Sequence, residues 1–157
     1  MNNSDWQARL VAALLYLLPL TAVMPIGVYF FQELPFLLPL FMPLLWLHRF
    51  LNFPILSFIS LDTVLFFVVY GLVVRSDRFR RSVRVNGMQA LLLSIVVFIS
   101  SLLLRWAGAA VPLLGQVLAN TTFIGIVAAS VWGMGQGIRG EVATLPGISE
   151  AAQIQVR

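Results

Sequence analysis

Arg75-Ser-Asp-Arg-Phe-Arg-Arg-Ser-Val-Arg-Val-Asn-Gly-Met-Gln-Ala90 is the stretch on which the fold turns. Five of the ten basic residues fall inside it, as Arg75, Arg78, Arg80, Arg81 and Arg84, and long apolar runs flank it on both sides. The pattern reads as a short basic turn between two membrane-spanning helices, because cationic turns stay on the cytoplasmic face and orient the spans around them. The rest of the chain agrees with lipid as its solvent. Of 157 residues, 60% are hydrophobic and only 10% charged, with a mean hydropathy of +0.94. A soluble domain carries about 25% charged residues. A domain of this size also leaves much of its surface wet, so this much apolar surface is expected to face a bilayer.

Working outward from the turn, the expected fold class is all-α. It is a polytopic membrane protein, a four-transmembrane-helix bundle with an additional short interfacial or re-entrant helix, all in one domain over 1–157. The spans are read at 10–31, 55–74, 85–104 and 117–138. The first is long enough for a hydrocarbon core of about 30 Å, but Pro19 and Pro25 should kink or break it. The stretch 35–50 is apolar yet short, holds Pro39 and Pro43, and ends at Trp46-Leu-His-Arg-Phe50. Runs of that length more often lie in the interface or re-enter than cross. Gly108 to Gly115 reads as a loop, and the tail 141–157 as too polar to cross. One arginine and no small-residue cleavage site make a poor signal peptide of the N-terminus, so that segment is expected in the mature protein.

Charge counting supports this arrangement. With four spans, one side receives Arg9, the five arginines of the turn, Arg139 and Arg157, and the other only Arg49 and Arg105. Both termini are then cytoplasmic, or on the equivalent side. If 35–50 also crossed, the split would worsen to seven against three. The chain has no lysine, a net charge of +4 and a pI near 10.7. Placed between apolar runs, these arginines suit anionic headgroups; nucleic acid is not an expected partner.

Few residues could carry chemistry. Asp62 is expected about 12 Å along the second span, where a carboxylate costs roughly 2.5–3.5 kcal/mol. It should face the bundle or a wet cavity, paired with Arg49 or Arg105. A pathway or proton site competes there with a structural acid, and a lone acid makes a poor relay. Asn86 and Gln89, spaced i, i+3, share one face of the third helix, where they can bind other helices or line a polar entrance. Gly125, Ala129, Gly133 and Gly137 form a small-residue ladder that would let helices approach closely. Gly133-Met-Gly-Gln-Gly137 is no nucleotide loop, since it lacks a lysine and a preceding strand. His48 alone, with no cysteine in the chain, cannot build a usual zinc site, and Asn120-Thr-Thr122 reads as helix capping rather than glycosylation. No nucleophile–base set is visible. Neither an enzyme nor a cofactor is expected.

Arg84-Val-Asn-Gly-Met-Gln-Ala90 resembles the arginine–aromatic–asparagine–x–methionine–glutamine–alanine motif of the Tic-twenty family. That family is the twenty-kilodalton membrane subunit of the translocon at the inner chloroplast envelope, together with its cyanobacterial relatives. Ala13-Leu-Leu-Tyr-Leu-Leu-Pro-Leu20, Phe53-Pro-Ile-Leu-Ser-Phe58 and Leu145-Pro-Gly-Ile-Ser-Glu-Ala-Ala-Gln-Ile-Gln-Val156 are similar to its opening span, the start of its second span and its tail. The resemblance implies four helices with stromal or cytoplasmic termini. It also implies a part in moving precursor polypeptides, as channel component or core scaffold. The partners it implies are the lipid bilayer, further copies or other translocon subunits, and the precursors themselves. The absence of lysine suits a GC-rich cyanobacterial genome, so the expected location is a cyanobacterial plasma membrane or a plastid inner envelope. Two further readings stand beside it: a small-solute channel or carrier lined by Asp62, Asn86 and Gln89, and a non-conducting assembly factor.

Overall fold

A computed structural model describes residues 3–56 and 59–156. Ser57 and Phe58, the end of one family-like stretch, lie outside the described residues. The chain begins as a broken helical segment: α1 (Asn3–Leu14), α2 (Leu17–Ala22), a 3₁₀ turn (Met24–Gly27) and α3 (Val28–Glu33). The breaks follow from the prolines. Pro19 cannot donate to residue 15, and the ladder gives way there to tighter bonds, Tyr16 N–H to Ala13 O at 3.1 Å and Leu18 N–H to Leu15 O at 3.3 Å. Pro25 lies in the first positions of the 3₁₀ turn, and the segment bends by 49° just before that turn, between Ala22 and Met24.

A second 3₁₀ turn (Pro35–Leu37) leads into α4 (Leu38–Leu51), which contains Pro43. One face of α4 packs inward through Phe41, Leu44 and Leu45. The other presents Leu40, Trp46 and Phe50, each at least 65% exposed.

The second expected span starts later than its hydropathy suggests. Pro54–Leu56 (β1) and Ile59–Ser60 (β2) pair as a small antiparallel hairpin with an irregular register. Helix begins only at Leu61, in α5 (Leu61–Val68), and runs on as a π-helical turn (Val69–Val74). Pro54 and the β-branched Ile55 and Ile59 favour extended backbone, and Ser60 caps the helix by accepting from Thr63 N–H at 3.4 Å. Ile55, Leu56, Ile59 and Ser60 are therefore not in the first turns of a span.

The basic turn ends at α6 (Arg81–Ala110), and α7 (Pro112–Arg139) follows after a single residue. The expected loop from Gly108 to Gly115 is thus reduced to Val111. That residue is extended (φ −141°, ψ 100°) because the following Pro112 disfavours helical backbone before it, while suiting the first helical position itself. A Cβ on Gly115 would stand 2.7 Å from Gly108 Cα, so only glycine lets the two helices meet this closely. Gly140 (φ +80°) ends α7, with Glu141 N–H returning to Gln136 O at 3.0 Å. The tail then runs to α8 (Ile148–Gln155).

The broken first segment is the centre of the molecule, packed against α6 and α7. Tyr16, Val23 and Met24 are at most 1% exposed. Phe123 of α7 gathers Phe30, Phe31 and Phe41 around it, at ring separations of 5.0, 5.3 and 5.8 Å. The outside is also apolar: Trp106 is 81% and Leu113 68% exposed. Among the described residues, α6 up to Trp106 and α7 are long and apolar enough to cross a membrane. The bent pair Asp5–Ala22 and Met24–Glu33 makes a third if taken as one span.

Candidate functional site

Asn86 and Gln89 do share a face, and that face is sealed. Both are 0% exposed, as is Tyr16. The Tyr16 hydroxyl donates to Gln89 Oε1 at 2.6 Å and has Asn86 Oδ1 as a second acceptor at 3.2 Å. The two amides hold the chain's C-terminal stretch. Asn86 Nδ2 donates to Glu141 O at 2.9 Å, and Asn86 Oδ1 accepts from Ala143 N–H at 3.1 Å. Gln89 Nε2 donates to Ala143 O at 2.8 Å and to Ser149 Oγ at 3.1 Å. Ser149 closes the set, donating to Ala143 O and accepting from Leu145 N–H at 2.6 Å. An irregular backbone buried against a helix must find partners for its N–H and C=O groups, and these side chains provide them. The arrangement is a clasp joining the first segment, α6 and the tail. Asn86 and Gln89, both 0% exposed, spend their amide groups on these bonds. Sequence reasoning missed Tyr16 and Ser149 as members; the first lies inside a family-like stretch, and the second follows Pro-Gly, a turn signal.

The basic turn has both fixed and free arginines. Arg84, only 15% exposed, donates to Val74 O at 2.9 Å, the last carbonyl of the π turn, and to Asp77 at 2.9 Å. Arg80 pairs with Asp5. Arg75, Arg78 and Arg81 are exposed. Arg9 lies against Gly140, whose Cβ, if present, would stand 2.9 Å from Arg9 Nε. The N-terminus, the basic turn and the tail therefore meet at one end of the molecule.

The small residues of α7 do not act as one ladder. A four-residue step advances about 40° beyond a full turn, so three steps carry Gly137 about 120° away from Gly125. Gly125 faces open space, and Ala129 is half-buried. A side chain on Gly133 would run into the Tyr16 ring, and one on Gly137 would stand 3.0 Å from Ala13 N. The buried face instead alternates steps of three and four, through Phe123, Ile126, Ser130, Gly133 and Gly137.

Asp62 belongs to a different place altogether. With helix starting at Leu61, it sits in the first turn of α5 rather than well along a span. It opens onto a lateral cleft of about 620 Å3 between the first segment, α4, α5 and α6. His48 of α4 and Asn52 just after it, Thr63 of α5, and Ser94, Ser101 and Arg105 of α6 line the same cleft, with Phe66, Phe67 and Phe98 as walls. Asp62 Oδ1 is buried without a hydrogen-bond partner. Among the described residues it forms an ion pair with neither Arg49 nor Arg105, and its electrostatic neighbour is His48. Ser94 and Ser101 donate back to Ala90 O and Phe98 O, which keeps their lone pairs available. No group of three or more metal-binding side chains occurs among the described residues. Asn120 reaches Glu33 Oε1 at 3.5 Å, beside Gln116 at 2.6 Å, so it ties α7 to α3.

Comparison with known proteins bears on both places. The family model described as "Chloroplast import apparatus Tic20-like" matches residues 1–152. The Tic20 family protein of Synechocystis sp. (strain ATCC 27184 / PCC 6803 / Kazusa) is 32% identical over 162 residues, covering 99% of this chain and 97% of that one. Protein TIC 20-v, chloroplastic, of Arabidopsis thaliana is 29% identical over 163 residues, covering 99% of this chain and 74% of that one. Both the clasp and the cleft fall within the matched residues, and the chain belongs to the Tic20 family.

Proposed function

We propose that this chain is an integral membrane subunit of a protein-translocation complex, with no catalytic step of its own. The observation that carries this reading is the family match, which runs from residue 1 to 152 under a description naming an import apparatus. The packed interior shapes the role. Tyr16, Phe123, Met24, Leu91 and Leu93 fill the centre, and helices in contact lie about 8–10 Å apart, which leaves no bore for a polypeptide. The chain therefore works as a scaffold or as one wall of a path completed by further copies or other membrane subunits.

The topology we propose has four crossings. Asp5 touches Arg80, so the number of crossings between them is even. In this topology the bent first segment goes out and Leu61–Val74 returns. Both Leu61–Val74 and Pro35–Leu51 are shorter than a usual span. The arginine-poor Leu61–Val74 is assigned the crossing, while Pro35–Leu51, with Pro43 inside it and His48-Arg49 in its last turn, lies in the interface or re-enters. The tail bound to Asn86 returns the C-terminus to the same end. That end, rich in arginine, is cytoplasmic or stromal, in a cyanobacterial plasma membrane or plastid inner envelope.

Crosslinking in native membranes tests the function. A precursor arrested in transit should form adducts with this chain, and their complete absence removes the translocation reading. Reporter tags placed in the turn at Asp77 test the topology; an outward-facing tag would refute it.

A further inference from the structure

We propose that the lateral cleft between α4, α5 and α6 seats a short extended segment of the polypeptide in transit. This rests on the translocation reading above and assigns a site to it. Extended backbone has no internal hydrogen bonds. At membrane depth it is tolerated only where protein or water satisfies it, since each unpaired polar group in hydrocarbon costs several kcal/mol. The cleft wall offers such partners. Asp62, Ser94 and Ser101 can accept from passing N–H groups, and Arg105 can donate to carbonyls.

These groups are aligned as a track. Ser94, Phe98, Ser101 and Arg105 follow one another at steps of four, three and four, so they form one stripe along α6. The stripe is about 16 Å long at 1.5 Å per residue, the length of about five residues of extended chain. Phe66, Phe67 and Phe98 stand beside it for apolar side chains, and Phe67 and Phe98 are 65% and 63% exposed. Asp62 adds a carboxylate to the cleft lining, an acceptor that suits an occupant bearing donors. A lipid chain needs none of these polar groups, and a phosphate headgroup would be repelled by Asp62. Charges of both signs in one cleft, Asp62 on α5 and Arg105 on α6, suit a backbone that carries both donors and acceptors.

The test places a photoreactive amino acid at Thr63, Phe66 or Phe67 of the full chain, and at the outward-facing Ile124 or Trp132 of α7 as controls. Each variant is illuminated in native membranes with a preprotein stalled by a folded C-terminal domain. The expected result is preprotein adducts at the cleft positions well above those at the controls. Asp62→Asn, nearly isosteric, should lower the cleft adducts and leave the controls unchanged. Adducts confined to the controls, or lipid adducts alone in the cleft, would overturn this site and spare the translocation reading. Adducts at no position would remove both.

Discussion

Replacing Tyr16 with phenylalanine takes away one oxygen, and the clasp specifies what that should cost. Tyr16 is fully buried and is the donor to Gln89 Oε1. Asn86 Oδ1 keeps a donor after the change, because Ala143 N–H reaches it at 3.1 Å. Gln89 Oε1 keeps none, so one buried acceptor is orphaned. Such a group costs about 1–3 kcal/mol, and interhelical hydrogen bonds in membranes average about 0.6 kcal/mol with a maximum near 1.7. The overlap gives about 1–2 kcal/mol, a factor of about 5–30 in the opening equilibrium. Hydrogen exchange of the detergent-solubilised protein reads it directly, in a peptide covering Glu141 to Ser149. That segment should exchange about 5–30-fold faster in Tyr16→Phe, while the interior of α6 keeps its protection as an internal control. Changing Gln89 to methionine as well removes the orphaned acceptor, so the double variant should cost less than the sum of the singles. Unchanged exchange in Tyr16→Phe, or strictly additive effects, would refute the idea that this hydroxyl helps hold the tail.

Three further outcomes follow from the same geometry, each measured as unfolding of the purified protein in detergent. Gly133→Ala should destabilise by about 1–3 kcal/mol, since its Cβ meets the Tyr16 ring, whereas Gly125→Ala, facing open space, should be neutral or stabilising by up to about 1 kcal/mol; equal effects would contradict the assigned packing face. Gly140→Ala should cost about 1–2 kcal/mol, because the residue adopts φ +80° beside Arg9, and a neutral result would mean that the turn ends differently. Arg84→Gln should destabilise clearly more than Asp5→Asn. Arg84 is mostly buried on Val74 O, while the Arg80–Asp5 pair is part-exposed and its charge is worth at most about 1 kcal/mol.

Much of this molecule could be read before its coordinates. Long apolar runs, Pro19 and Pro25 as breaks, and arginines gathered in one turn are local signals that act through the nearest residues. The shared face of Asn86 and Gln89 is also local, since it follows from helical spacing. Their partners were out of reach. Those are backbone groups more than 50 residues away, in a tail with no regular period, and no sequence pattern announces a carbonyl that needs a donor. The position of Asp62 was misjudged for a different reason. Hydropathy runs without a break from Ile55, so it hid the helix start that Ser60 and Thr63 mark by capping. On α7, Gly133 and Gly137 do admit the first segment closely while Gly125 faces open space, because strict spacing by four looks like a face and is really a slow spiral.

The clasp ties together residues 16, 89 and 149, which leave the ribosome far apart in time. Tyr16 is synthesised early, yet its binding groove needs Gly133 and its acceptor waits for Gln89. Residues 141–149, which cover both, follow later than either. Packing of the first segment is therefore complete only when α6, α7 and residues 141–149 are all in place, and a chain stopped near Arg139 would leave the Asn86 and Gln89 amides without those partners.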